Sequence, residues 1–196
     1  GSKIKTDLRG DKLSVGDRIT WTEYFHHGDS YYREIKDMPQ KSKGVRKYGH
    51  DLVENDPHFN GGFAEYCYIY PGTGILKLPE SISDEEATPL NCGVATMIAV
   101  IEAAEIKIGD SVVIQGLGLL GLYGCAIAKA NGAGMVIGLD SVDDRLNVSK
   151  KFGAVENINV SNLSEQKVVQ KVKELCPPDG ADVVIEVCGQ PSVIPT

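Results

Sequence analysis

Val112-Val113-Ile114-Gln115-Gly116-Leu117-Gly118-Leu119-Leu120-Gly121 is the stretch that decides how this chain folds. Its first residues form a short apolar run, the pattern of a strand buried on both faces. Glycines then recur at 116, 118 and 121, and a helical segment follows through Ala130. Glycines at that spacing, between a strand and a helix, are the fingerprint of a dinucleotide phosphate cradle. Gly116 permits the tight turn, Gly118 lets backbone approach a pyrophosphate, and Gly121 lets the helix lie close to the strand. The N–H groups opening the helix, those of Leu119 and Leu120, then face the anion with the helix dipole behind them. The next apolar run, residues 135–139, leads into Asp140, about 20 residues past the loop, where a carboxylate takes a ribose hydroxyl. An acid there repels a 2′-phosphate, so NAD is expected over NADP. Arg145 close by tempers the preference and keeps NADP as the alternative.

Outward from this unit the alternation of helix and strand continues. Residues 93–104 carry Val94, Met97, Ile98 and Ile101 at helical spacing. Ser141, with Asp144 three positions on, predicts a helix opened by a capping box. Residues 156–160 read as a third strand and 182–187 as a fourth. Between them, 164–176 is an amphipathic helix with Val168, Val169, Val172 and Leu175 on one side. Strands alternating with helices predict an α/β domain over residues 92–196, its parallel sheet ordered 3-2-1-4. Residues 1–91 read as a mostly β domain of short strands and loops. Residues 18–21 follow the turn Val15-Gly16-Asp17, and 62–69 alternate as a half-buried strand should. A polar stretch between them holds all four histidines, His26, His27, His50 and His58. Pro79, the run Ser83-Asp84-Glu85-Glu86 and Pro89 mark a connector, which puts the boundary near Asn91.

The 196 residues carry a formal charge of −7 with no long basic block, which argues against a nucleic-acid or anionic-membrane surface. No apolar run is long enough to span a bilayer, and residues 1–5 carry no leader signature. The five cysteines, Cys67, Cys92, Cys125, Cys176 and Cys188, show no framework spacing and no C-x-x-C pair. Free thiols in a cytoplasmic protein are expected, and no thiolate ribbon for zinc.

Several motifs together resemble the zinc-containing medium-chain alcohol dehydrogenases, nearest the group associated with threonine, sorbitol and phosphonate metabolism. They are Pro89-Leu90-Asn91-Cys92-Gly93-Val94-Ala95-Thr96, Ile108-Gly109-Asp110-Ser111-Val112 and the glycine loop. Val15-Gly16-Asp17-Arg18-Ile19, Lys47-Tyr48-Gly49-His50 and Gly61-Gly62-Phe63-Ala64-Glu65-Tyr66 extend the likeness. The resemblance implies a partial GroES-like catalytic domain over 1–91 and a partial Rossmann domain over 92–196. It also implies a truncated member or a fragment, lacking the last strands of the sheet. Of the catalytic-zinc ligands the family carries, Cys92 alone has a counterpart, and a catalytic zinc needs three protein ligands. Where the family's structural-zinc lobe has cysteines, this chain has His27, Ser30, Arg33 and Ser42. The histidine spacings fit no zinc pattern, so no metal is expected.

These readings give a nicotinamide-dinucleotide-binding protein without zinc-dependent alcohol oxidation, acting on a small molecule if on anything. A zinc-independent reductase of activated carbonyls or quinones is one alternative. A cleft with weak esterase-like hydrolase activity is another, with Cys92 as the candidate nucleophile. A binding module with no catalysis is the third. The fourth strand, 182–187, is expected to present an open apolar edge that pairs two copies into a homodimer.

Overall fold

The computed structural model describes residues 4–26, 28, 30–56 and 58–193. The chain divides into two compact units, Gly1–Asn91 and Cys92–Thr196.

In the first unit, β1 (Ile19–Trp21), β2 (Tyr24–His26), β3 (Val45–Lys47) and β4 (Ile75–Lys77) form two antiparallel pairs, β1 with β4 and β2 with β3. Between β2 and β3 lies α1 (Tyr31–Glu34), and α2 (Asp84–Ala87) follows β4. A reciprocal cap between Ser83 and Glu86 opens α2, so the acidic run after Pro79 is a helix start. Phe25, Tyr48 and Tyr70 make the unit's core, with the Phe25 and Tyr70 rings stacked at 4.1 Å. Tyr48 Oη accepts the Tyr70 N–H at 2.8 Å and pairs with Thr73 Oγ1 at 2.6 Å, so the buried phenol is satisfied. Residues 62–69 are not a strand: no ladder partner lies beside them among the described residues, and Phe63 and Tyr66 face solvent. Alternation marks a strand only where a neighbour completes its hydrogen bonds.

The second unit opens with α3 (Ala95–Ala103), entered through a π-helical turn at Leu90–Val94. Then come β5 (Ser111–Gln115), α4 (Leu119–Ala130), β6 (Met135–Asp140) and α5 (Asp143–Ser149). The unit continues with β7 (Glu156–Asn159), α6 (Glu165–Leu175) and β8 (Val183–Glu186). The four strands form one parallel sheet in the order β7-β6-β5-β8, the predicted order. Val112, Ile114, Val136 and Ile185 pack on one face with Met97, Ile101, Leu117 and Cys125. Val113, Ile137, Leu139 and Ile158 pack on the other with Cys176 and the Val168, Val172 and Leu175 side of α6. Each fully buried aliphatic side chain contributes roughly 1.5–3 kcal/mol, and covering both faces is why these strands read as continuous apolar runs.

Two local expectations fail. α5 begins after Val142 with no side-chain cap, so Ser141 opens no capping box. The Asp140 carboxylate instead accepts the Val142 N–H, which turns the chain into the helix. Val169 is 48% exposed, because the helical stripe that meets the sheet is narrower than the four apolar residues.

Candidate functional site

β5 lies between β6 and β8, so the crossovers leave it in opposite directions and a crevice opens at the carboxyl ends of β5 and β8. The glycine loop leaves β5 at that point. Gly116 has φ +92, and a Cβ on it would stand 2.6 Å from Cys188 Cβ. Gly121 faces the carbonyl of Gly116 so closely that any Cβ would overlap it. Those two glycines are demanded by the protein itself.

Gly118 is not. It has extended backbone at φ −71 and ψ −163, and among the described residues no atom beyond its own chain neighbours lies within 4 Å of where its Cβ would be. It is the N-cap of α4 and supplies no side-chain cap, so the first N–H groups of that helix have neither an intrahelical acceptor nor a capping oxygen. Leu119 is 57% exposed beside this opening. An uncapped helix start with open space above it is a place for an anion.

Asp140, at the carboxyl end of β6, is 7% exposed. Its Oδ2 accepts the Leu117 N–H at 2.7 Å and its Oδ1 accepts the Val142 N–H at 2.9 Å. Arg145 Nη1 stands 3.7 Å from Oδ2, with the Arg145 side chain 55% exposed. The carboxylate therefore pins the glycine loop, and each oxygen keeps a lone pair for a further donor.

Cys92 is exposed on the π-helical turn. Its neighbour Gly93 packs on the first turn of α4, with Leu119 Cδ2 3.1 Å from the place of a Cβ. Cys92 thus borders the glycine loop through one residue. Among the described residues no three His, Cys, Asp or Glu side chains gather as a metal site. His50 and His58 are exposed, and His58 Nδ1 is 2.9 Å from the Val53 carbonyl. His27 lies outside the described residues.

Sequence reading missed one cluster. Glu186 Oε1 accepts the N–H of Cys188 at 2.7 Å, its thiol at 2.8 Å and the N–H of Gly189 at 2.9 Å. The Cys188 thiol holds the Glu186 carboxyl below the usual range, helped by the Gly189 N–H. Burial, reinforced by Glu186, pushes the Cys188 thiol up. The sequence shows only a polar Glu186 closing an apolar strand; that Cys188 and Gly189 turn back onto it depends on the backbone.

A glycine-rich strand–loop–helix at the switch point of a parallel sheet defines a Rossmann-type α/β domain. The family model described as zinc-binding dehydrogenase matches residues 120–196. The chain is 34% identical over 195 residues to L-threonine 3-dehydrogenase of Pyrococcus horikoshii, covering 96% of this chain and 53% of that protein. It is 35% identical over 139 residues to D-xylulose reductase A of Aspergillus niger, covering 70% of this chain and 38% of that one. Among solved structures, an alcohol dehydrogenase from Thermotoga maritima matches with a TM-score of 0.85 at 27% identity, over 95% of this chain and 52% of that chain. Galactitol-1-phosphate dehydrogenase from Escherichia coli shares the fold, with a TM-score of 0.77 at 22% identity over 94% and 49%. These likenesses support a place for the chain in the lineage of the zinc-containing medium-chain alcohol dehydrogenases, which are oxidoreductases. It spans about half the length of the threonine dehydrogenases it matches.

Proposed function

We propose that this chain binds a nicotinamide dinucleotide at the glycine loop, NAD(H) in preference to NADP(H), without zinc-dependent alcohol oxidation of its own. The observation that carries the reading is Gly118, an extended helix cap with open space where a side chain would stand. The N–H groups of Leu119, Leu120 and Gly121 would hold the pyrophosphate, and the spare lone pairs of Asp140 the ribose hydroxyls. Arg145, already shared with Asp140, is the group that would take a 2′-phosphate in NADP(H). When bound, the nicotinamide supplies the hydride donor or acceptor. Cys92 offers a zinc one ligand of the three it needs. The relatives are named for threonine, xylulose and galactitol-1-phosphate, so a small hydroxylated compound or its carbonyl form is the substrate class proposed. Isothermal titration with NADH and then NADPH tests this. Saturable NADH binding, about tenfold tighter than NADPH, is expected, and equal or tighter NADPH binding refutes the preference.

A second reading rests on Cys92. An exposed thiol bordering an uncapped helix start has the parts for weak esterase-like turnover, the thiolate attacking and the N–H groups receiving the oxyanion. Loss of p-nitrophenyl acetate hydrolysis in Cys92→Ala supports it, and unchanged hydrolysis ends it.

Two features support the remaining assignments. All five cysteines are free, which favours the reducing cytoplasm. β8 is an outer strand with Val184 62% exposed, which favours pairing with a second copy about a two-fold axis. Val184→Lys should shift such a dimer toward monomer in sedimentation, and a wild-type monomer at high concentration contradicts the pairing.

A further inference from the structure

The family resemblance implies a metal in the lobe between β2 and β3, and three of the four positions there, Ser30, Arg33 and Ser42, do not fit one. The fourth, His27, lies outside the described residues and would make one ligand of the four. We infer that this lobe is closed by a serine hydroxyl pair in place of a metal ion. Ser30 Oγ and Ser42 Oγ are 2.6 Å apart, joining the two ends of the lobe. The pair is built in at both sides. Ser30 is the N-cap of α1 and accepts the Arg33 N–H at 3.2 Å. Ser42 is 8% exposed, and its backbone closes a turn through its N–H to the Pro39 carbonyl at 3.0 Å. Met38 N–H to the Tyr32 carbonyl, at 2.7 Å, ties the middle of the lobe to α1.

The chemistry runs against a cation here. Zinc takes thiolate, imidazole or carboxylate, and neutral hydroxyls are none of these. One lone pair of Ser30 Oγ already serves Arg33 N–H, and each hydroxyl spends a further site on the other. The third position is Arg33, whose guanidinium is always charged and donates only, pairing with Glu34 at 3.3 Å. A dication would meet a fixed positive charge and no anionic donor among Ser30, Arg33 and Ser42. The hydrogen bonds that a metal would replace are already made. The lobe folds as a loop stapled by its own hydroxyls.

The test combines metal analysis with thermal denaturation of the whole chain. Zinc well below one equivalent, and a melting temperature unmoved by EDTA or by added zinc, are expected. Ser42→Ala should lower the melting temperature by about 2–5 °C, the loss of one hydrogen bond. The double variant Ser30→Cys with Ser42→Cys should lose two titratable thiols on oxidation, because the paired oxygens stand where a disulfide closes. About one equivalent of zinc that remains bound in Cys92→Ser, with chelation lowering the melting temperature, overturns the inference. Two thiols still titrating after oxidation of a folded double variant also count against it.

Discussion

Asp140 Oδ2 accepts the Leu117 N–H at 2.7 Å, so the end of β6 holds the floor of the glycine loop that leaves β5. Asp140 is buried, and its removal orphans an N–H in the core. Asp140→Ala should therefore cost about 2–3 kcal/mol of stability in urea unfolding, more than a surface carboxylate would, and should weaken dinucleotide binding as well. Unchanged stability would mean that the loop stands without this bond.

Gly121→Val should be worse for the fold than for the ligand. Its Cβ overlaps the Gly116 carbonyl, a backbone atom that cannot swing aside. A loss of about 3 kcal/mol or failure to accumulate as folded protein is expected, measured by denaturation.

The thiols should report on the two ends of the burial scale. Cys92 is exposed, whereas Cys125 and Cys176 are buried, and burial pushes the Cys125 thiol up to about 12. One thiol, lost in Cys92→Ser, should react with Ellman's reagent in the fast phase, while Cys125 and Cys176 should react only on unfolding.

The sheet order and the glycine loop were legible in the sequence because both signals are local. Buried strands such as 112–115 announce themselves as apolar runs, and Gly121 is forced by the Gly116 carbonyl within one strand–loop–helix, whereas the crowding of Gly116 by Cys188 comes from beyond β8. Residues 62–69 misled, since alternation speaks of side chains while a strand also needs a partner's hydrogen bonds. The pinning role of Asp140, the Glu186–Cys188 knot and the Ser30–Ser42 pair were not legible. The first joins residues 23 positions apart, and the others depend on which way a backbone turns. Ser141 had the right residue type for a cap, but Asp140 beside it took the Val142 N–H.

Acid should weaken the fold in a defined window. The Lys77 backbone N–H holds the Asp7 carboxyl low, and the Lys77 side chain does the same for Asp17. Ser111 lowers Asp182 through its N–H and hydroxyl, and Cys188 lowers Glu186. Each folded value lies below the unfolded one, so the stabilisation is complete above the ordinary carboxylate range. It is lost as pH falls through about 4 and then through the folded values. Melting temperatures should be flat between about pH 5 and 7 and should fall steadily toward pH 3. A melting temperature unchanged at pH 3 would show that these bonds contribute nothing.

Titration of NADH into the Gly118→Val variant, beside the wild type, tests the central claim most directly. Gly118 has no protein neighbour to clash with, so the variant should keep the wild-type melting temperature to within a few degrees. The added side chain should fill the space over the uncapped start of α4, and NADH affinity should fall by at least about a hundredfold. NADH binding to a folded Gly118→Val protein with wild-type affinity would contradict the account, because the cofactor would then not rest on this loop.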